Sequence, residues 1–134
     1  MTMTRKMFNG ALLATLLAVT GLVSSAFASS AVPFATDAFK SAQAAGQPVL
    51  IEIHAGWCPT CKAQTPIIER LTTDPKFKDL KIFRVDFDDQ KPTVKSFGAQ
   101  MQSTLIVFKG AAEQGRSVGD TSETSIGALL DKAL

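Results

Sequence analysis

The sequence predicts an α/β domain, a three-layer sandwich in which helices cover both faces of a central mixed sheet. Three observations predict it. Apolar stretches of strand length, "PVLIEIHA" (residues 48–55), "LKIFRVDFD" (80–88) and "STLIVFKG" (103–110), alternate with segments of helical pattern. The first of them sets Val49, Leu50 and Ile51 in succession, as a strand does when it is buried on both faces in the middle of a sheet. At 134 residues and 46% hydrophobic, the chain can also bury a core of its own without staples.

The elements follow in order. Residues 1–28 carry a basic Arg5-Lys6 pair, an apolar run from Ala11 to Val23 and the small-x-small triplet Ala26-Phe27-Ala28, so a secretory signal peptide cleaved after Ala28 is expected. The apolar run is shorter than the roughly 20 residues of a spanning helix, which argues against a retained anchor. Residues 29–134 then form one domain. "FATDAFKSAQAAG" reads as a short helix anchored by Phe39 and ended by Gly46. After the strand at 48–55, a helix is expected from Pro59 to about Leu71, since the fixed φ and absent N–H of proline suit a first helical turn. The strand at 80–88 alternates Leu80, Ile82, Phe83, Val85 and Phe87. "KPTVKSFG" is a short helix stopping at Gly98, and the strand at 103–110 turns at Gly110 into "EQGRSVG", an antiparallel edge. The last helix opens at Asp120 with Glu123 three later, a capping-box pattern, and lines Ile126, Leu129, Leu130 and Leu134 along one face. The order is αβαβαββα.

Charge excludes some functions. There are 14 Lys and Arg against 12 Asp and Glu, and the expected leader removes Arg5 and Lys6, leaving a balanced domain. No nucleic-acid partner is therefore expected. The two cysteines, Cys58 and Cys61, lie in "HAGWCPTCKAQTP". A structural disulfide, a metal site and a redox pair are the three readings. A bridge closing so short a loop removes little chain entropy. With His54 as the single histidine, cysteine and histidine supply three metal ligands at most, so no metal site is assigned. A redox pair fits best. Cys58 at the start of a helix meets unpaired N–H groups and the positive end of the helix dipole, which favour the thiolate. Cys61 lies one turn deeper. Cys58 is expected to be the exposed attacking sulfur and Cys61 the resolving one.

"WCPTCK" resembles the WCxxCK active site of thioredoxin-like proteins. The resemblance spans the domain: "PVLIEIHAGWC" is similar to the family's second strand and loop, Pro66 stands where the family has a helix-kinking proline, "STLIVFKG" is similar to the strand facing the active site, and "SVG" before the last helix matches a cleft Val-Gly. It implies a thioredoxin-like sandwich and a thiol-disulfide oxidoreductase acting on protein disulfides, without a cofactor. The Cys-Pro-Thr-Cys center is similar to that of periplasmic thioredoxin-like reductants. This implies action as a reductant recharged by a membrane electron-transducing disulfide reductase; with the leader, location in the periplasm is expected, and so is a monomer. By position, Glu52 takes the place of the family's buried proton-relaying acid. A carboxyl within "VLIEI" is desolvated, which raises its pKa, unless alternation points it at solvent. Arg84 stands where the family has a lysine near that acid; a contact would oppose the shift and keep Glu52 ionised. The substrate-contact residues implied are Trp57, Pro59, Thr60, Gln102, Ser103 and Gly119.

The sequence departs from the family at Ser103, which replaces a cis-proline. A cis bond before a non-proline residue costs about 2.5–4 kcal/mol, so the Gln102-Ser103 peptide is expected to be trans. The Ser103 hydroxyl is then a candidate donor to a thiolate, and loss of the proline opens an alternative, a periplasmic copper or iron-sulfur carrier using Cys58 and Cys61, with His54 as a third candidate ligand. A packing role is expected for His54. Met101 and Phe108 are expected to line the core or the cleft.

Overall fold

The computed structural model describes residues 29–134; the expected signal peptide, residues 1–28, lies outside the described residues. Five strands form one mixed sheet in the order β1-β3-β2-β4-β5. They are β1 (Val32–Pro33), β2 (Pro48–His54), β3 (Lys81–Asp86), β4 (Thr104–Lys109) and β5 (Ala112–Val118); the helices are α1 (Thr36–Ala44), α2 (Pro59–Leu71), α3 (Lys91–Ser96) and α4 (Glu123–Asp131). β3 runs parallel to both β1 and β2, whereas β4 is antiparallel to β2 and β5 to β4.

The central strand behaves as its apolar run requires. Val49, Leu50 and Ile51 are fully buried because the two sheet faces carry separate cores. On one, Ile51, Phe83, Ile106 and Phe108 meet Phe39 of α1 and Val94 of α3. The aromatic rings there pack mostly edge to face, as between Phe39 and Phe108 at 5.5 Å. On the other face, Leu50, Ile82, Leu105 and Val107 meet Ile68 of α2 and Ile126 and Leu130 of α4. Burying a large apolar side chain is worth about 1.5–3 kcal/mol, so these two clusters supply most of the drive to fold.

α2 starts at Pro59 and ends at Leu71, as its proline and pattern predict. Four expectations need correction. β1 is an additional strand: two residues are too few for period-two patterning, and Pro33 is tolerated because the strand is a sheet edge. A 3₁₀ turn, Pro75–Phe77, also went unread; it buries Phe77 against the α2 side. α4 begins at Glu123 with Ser122, not Asp120, as its cap, the Ser122 side chain accepting from Ser125 N. Asp120 instead accepts from Ser122 N, and Glu123 pairs with Arg70 rather than closing a capping box. Finally, Leu134 is 40% exposed while Ala133 is buried, because regular helix ends at Asp131 and the stripe does not continue.

Candidate active site

The turn from β2 into α2 is built by consecutive residues. Cys58 N donates to Ala55 O at 3.1 Å, Cys58 takes the extended backbone of an N-cap, and Pro59 occupies the first helical position. The Cys58 Sγ acts as the cap acceptor, receiving the Cys61 N–H at 3.1 Å. The two cysteines are joined as a disulfide, their Cα atoms 5.3 Å apart. Both are 1% exposed, which corrects the expectation of an exposed Cys58: Ala55 and Phe87 pack around the pair. The asymmetry between the sulfurs is one of hydrogen bonding rather than of exposure. A donor aimed at Cys58 Sγ at a helix N-terminus favours a thiolate there once the bond is reduced.

Beneath this turn, Glu52 is 5% exposed, in register with Arg84 on β3. Arg84 Nε donates to Glu52 Oε2 at 2.9 Å, and its Nη2 makes a long 3.5 Å contact with Thr65 Oγ1. Thr65 in turn donates to Cys61 O at 3.1 Å, so an unbroken polar line joins Glu52 to the inner cysteine's peptide. Burial raises the Glu52 pKa, and the opposing charge and hydrogen bond of Arg84 do not cancel it. The contact with Arg84 therefore moderates the shift without restoring an ordinary carboxylate.

The opposite rim is assembled from distant segments. Every described peptide is trans, the Gln102-Ser103 bond included, and Ser103 is the one described non-glycine residue with positive φ, at 58°. Such a conformation costs about 1–3 kcal/mol and survives where the surroundings over-determine it. Ser103 N donates to Ile53 O at 2.8 Å, and Ser103 O accepts from Gly119 N at 3.0 Å. The Ser103 hydroxyl donates to Gln102 O at 2.6 Å, which corrects the expectation that it serves a sulfur: the neighbouring carbonyl holds it.

The remaining candidates divide by exposure. Trp57 is 59% exposed, its Nε1 donating to Asp88 Oδ2 at 2.7 Å. Pro59 and Gly119 are exposed, and Thr60 and Gln102 half-buried. Phe108 is core, while Met101 lines a cleft with Thr104, Arg116 and Val118. His54 borders a cleft of about 290 Å³ with Arg84, Asp86 and Gln90. Its pKa is lowered by burial and by Arg84, against the pull of Asp86. Among the described residues no group of three or more His, Cys, Asp or Glu side chains converges as a metal site would require, so His54 is not gathered with the two cysteines.

Sequence reasoning missed Gln64, Thr65 and Asp88. For Gln64 a signal existed: it is a polar residue on the inner stripe of α2, between Cys61 and Ile68. Buried at 4% exposure, its Nε2 donates to both Ser103 O at 3.2 Å and Asp120 O at 2.9 Å. Thr65 and Asp88 gave none, because the side chains that reach them, Arg84 and Trp57, come from other elements.

Residues 30–132 match the family profile described as thioredoxin. This chain belongs to the thioredoxin family. A thioredoxin of Chlamydia muridarum is 34% identical over 84 residues, covering 63% of this chain and 80% of that protein. A thioredoxin of Mycobacterium tuberculosis is 32% identical over 93 residues, 69% of this chain and 76% of its own. Among solved structures, Trxlp from Edwardsiella tarda superposes with a TM-score of 0.73 at 40% identity, covering 75% of this chain and 98% of that one. The thioredoxin-like fold expected from the sequence is the fold observed. As a thioredoxin-family protein with a paired Cys58 and Cys61, it is a thiol-disulfide oxidoreductase, and protein disulfides are the substrate class of thioredoxins.

Proposed function

We propose that this oxidoreductase is exported to the periplasm and acts there, as a monomer, as a reductant of protein disulfides. The observation that carries the chemistry is the Cys61 N–H directed at Cys58 Sγ where α2 begins behind Pro59. In the reduced form, the Cys58 thiolate attacks one sulfur of the substrate disulfide, forming a mixed disulfide and expelling a substrate thiolate, which takes up a proton. Cys61 then gives its proton to the Glu52 carboxylate and attacks Cys58 Sγ. The second substrate thiolate leaves, and the Cys58-Cys61 disulfide closes with two electrons delivered. Burial raises the Glu52 pKa, which suits it to accept and return that proton. Trp57, Pro59, Thr60, Gln102, Ser103 and Gly119 form the surface against which the substrate lies. A membrane electron-transducing disulfide reductase supplies two electrons and two protons to reopen the pair.

Export is supported by Arg5-Lys6, the apolar run and Ala26-Phe27-Ala28, which together assign residues 1–28 to a cleaved leader and residues 29–134 to the domain. The test has three parts. Supplied with dithiothreitol, the domain should reduce a protein disulfide, Cys58→Ser should abolish this, and Cys61→Ser should accumulate a covalent substrate adduct. The equilibrium potential against glutathione should lie near that of thioredoxin; a value about 100 mV higher marks an oxidant instead. N-terminal sequencing of the periplasmic form should begin at Ser29, and a cytoplasmic protein retaining Arg5 and Lys6 defeats the export assignment.

A further inference from the structure

Gln64 lies on the inner stripe of α2, one helical turn beyond Cys61, and directs its carboxamide at main chain rather than at another side chain. Its two acceptors are 39 and 56 residues away in sequence: Ser103 O in the loop before β4, and Asp120 O in the loop between β5 and α4. Those loops are already joined, since Gly119 N donates to Ser103 O. Of the hydrogen bonds holding Ser103 N and Ser103 O at a φ of 58°, the one from Gln64 alone comes from a side chain. It is therefore the tie that a single residue type controls.

We propose that Gln64 is a positioning residue of the exchange reaction: it clamps the Ser103 and Asp120 loops against the helix that carries the redox pair, and so shapes the rim on which a polypeptide substrate rests. The inference rests on the proposed roles of Cys58 and Cys61 as the exchanging pair and of Gln102, Ser103 and Gly119 as substrate contacts. Its consequence is selective. A polypeptide spans both rims, whereas a small disulfide needs little beyond the attacking sulfur, so the clamp governs protein substrates and not small ones.

Gln64→Met keeps side-chain length and removes the donors. Steady-state reduction of insulin should show a KM about tenfold higher, equivalent to about 1.4 kcal/mol, with kcat and the rate toward 5,5′-dithiobis(2-nitrobenzoic acid) unchanged within about twofold. Adding Ser103→Gly to Gln64→Met should recover at least part of the loss, because glycine adopts positive φ without a clamp. An unchanged KM for insulin, an equal loss on both disulfides, or no recovery with glycine overturns the proposal. Should Gln64→Met fail to fold, the wild-type protein still decides. The Gln64 carboxamide protons should exchange with water at least about 100-fold more slowly than those of an exposed glutamine such as Gln114, and exchange at the exposed rate overturns the clamp. Cys58→Ser serves as the control for the underlying reading: if it still reduces insulin, the exchanging pair itself is misassigned, whatever Gln64 does.

Discussion

The two rims of the redox site are made in opposite ways. The rim at Trp57-Cys58-Pro59 is local: a strand end, an extended cap residue, a proline at the first helical position, and a sulfur accepting the N–H three residues on. The rim at Gln102-Ser103 and Gly119 is remote, with each tie that holds the Ser103 main chain coming from another element: Ile53 on β2, Gln64 on α2 and Gly119 beyond β5. The comparison teaches where robustness resides. The first rim should persist in any context that keeps the helix, while the second exists only when β2, α2 and β5 are packed together.

The sharpest way to separate chemistry from capping on the local rim is Cys58→Ser. Insulin reduction should be lost entirely, yet serine is a good cap, so stability relative to the reduced wild type should change by less than about 0.5 kcal/mol in urea titration. A large stability loss breaks the claim that local geometry sets the backbone of this rim. Next in size is Arg84→Met, which leaves the Glu52 carboxyl buried without its partner. Fully buried pairs lose about 3–5 kcal/mol on such a change, but the Arg84 side chain is 33% exposed, so about 2 kcal/mol at pH 7 is expected from chemical denaturation.

Glu52 itself gives a test by pH. Its pKa is higher folded than unfolded, so folding takes up a proton. The resulting stabilisation is complete below the ordinary glutamate range and is lost as pH rises through the folded value. Glu52→Gln should flatten the stability profile in that window, and an unaltered profile would remove Glu52 from the account. On a comparable scale, Ser122→Ala tests a cap with no redox duty and should destabilise α4 by about 1 kcal/mol in thermal melts. The smallest effect belongs to Arg70→Ala: the Arg70-Glu123 pair is exposed on both sides, and urea unfolding should shift by no more than about 0.5 kcal/mol.

Much of the fold was legible because its signals are short in range. Val49, Leu50 and Ile51 mark a covered strand by adjacency, Pro59 marks the start of α2, and Phe39 anchors α1, each judged from a few neighbouring residues. The strand at Val32–Pro33 escaped because two residues carry no period. The Asp120 misreading has the same origin, since Asp120 and Ser122 are both good caps and the chain offers no local criterion to rank them. At the site, the cysteine pair and its helix were legible, while the burial of Cys58 was not: Phe87, which packs against it, comes from beyond β3.

By itself, the sequence determined the four longer strands and the four α-helices to within a few residues, that both thiols sit at a helix start, and that no proline stands at residue 103. The tertiary structure alone decided that Ser103 is held at positive φ, that Gln64 turns its amide to two distant carbonyls, and that Arg84 reaches Glu52. The reason is range. Backbone preferences and caps act within about four residues and are written in order along the chain, whereas a buried polar group must find a partner wherever packing brings one, and that depends on every other element being in place.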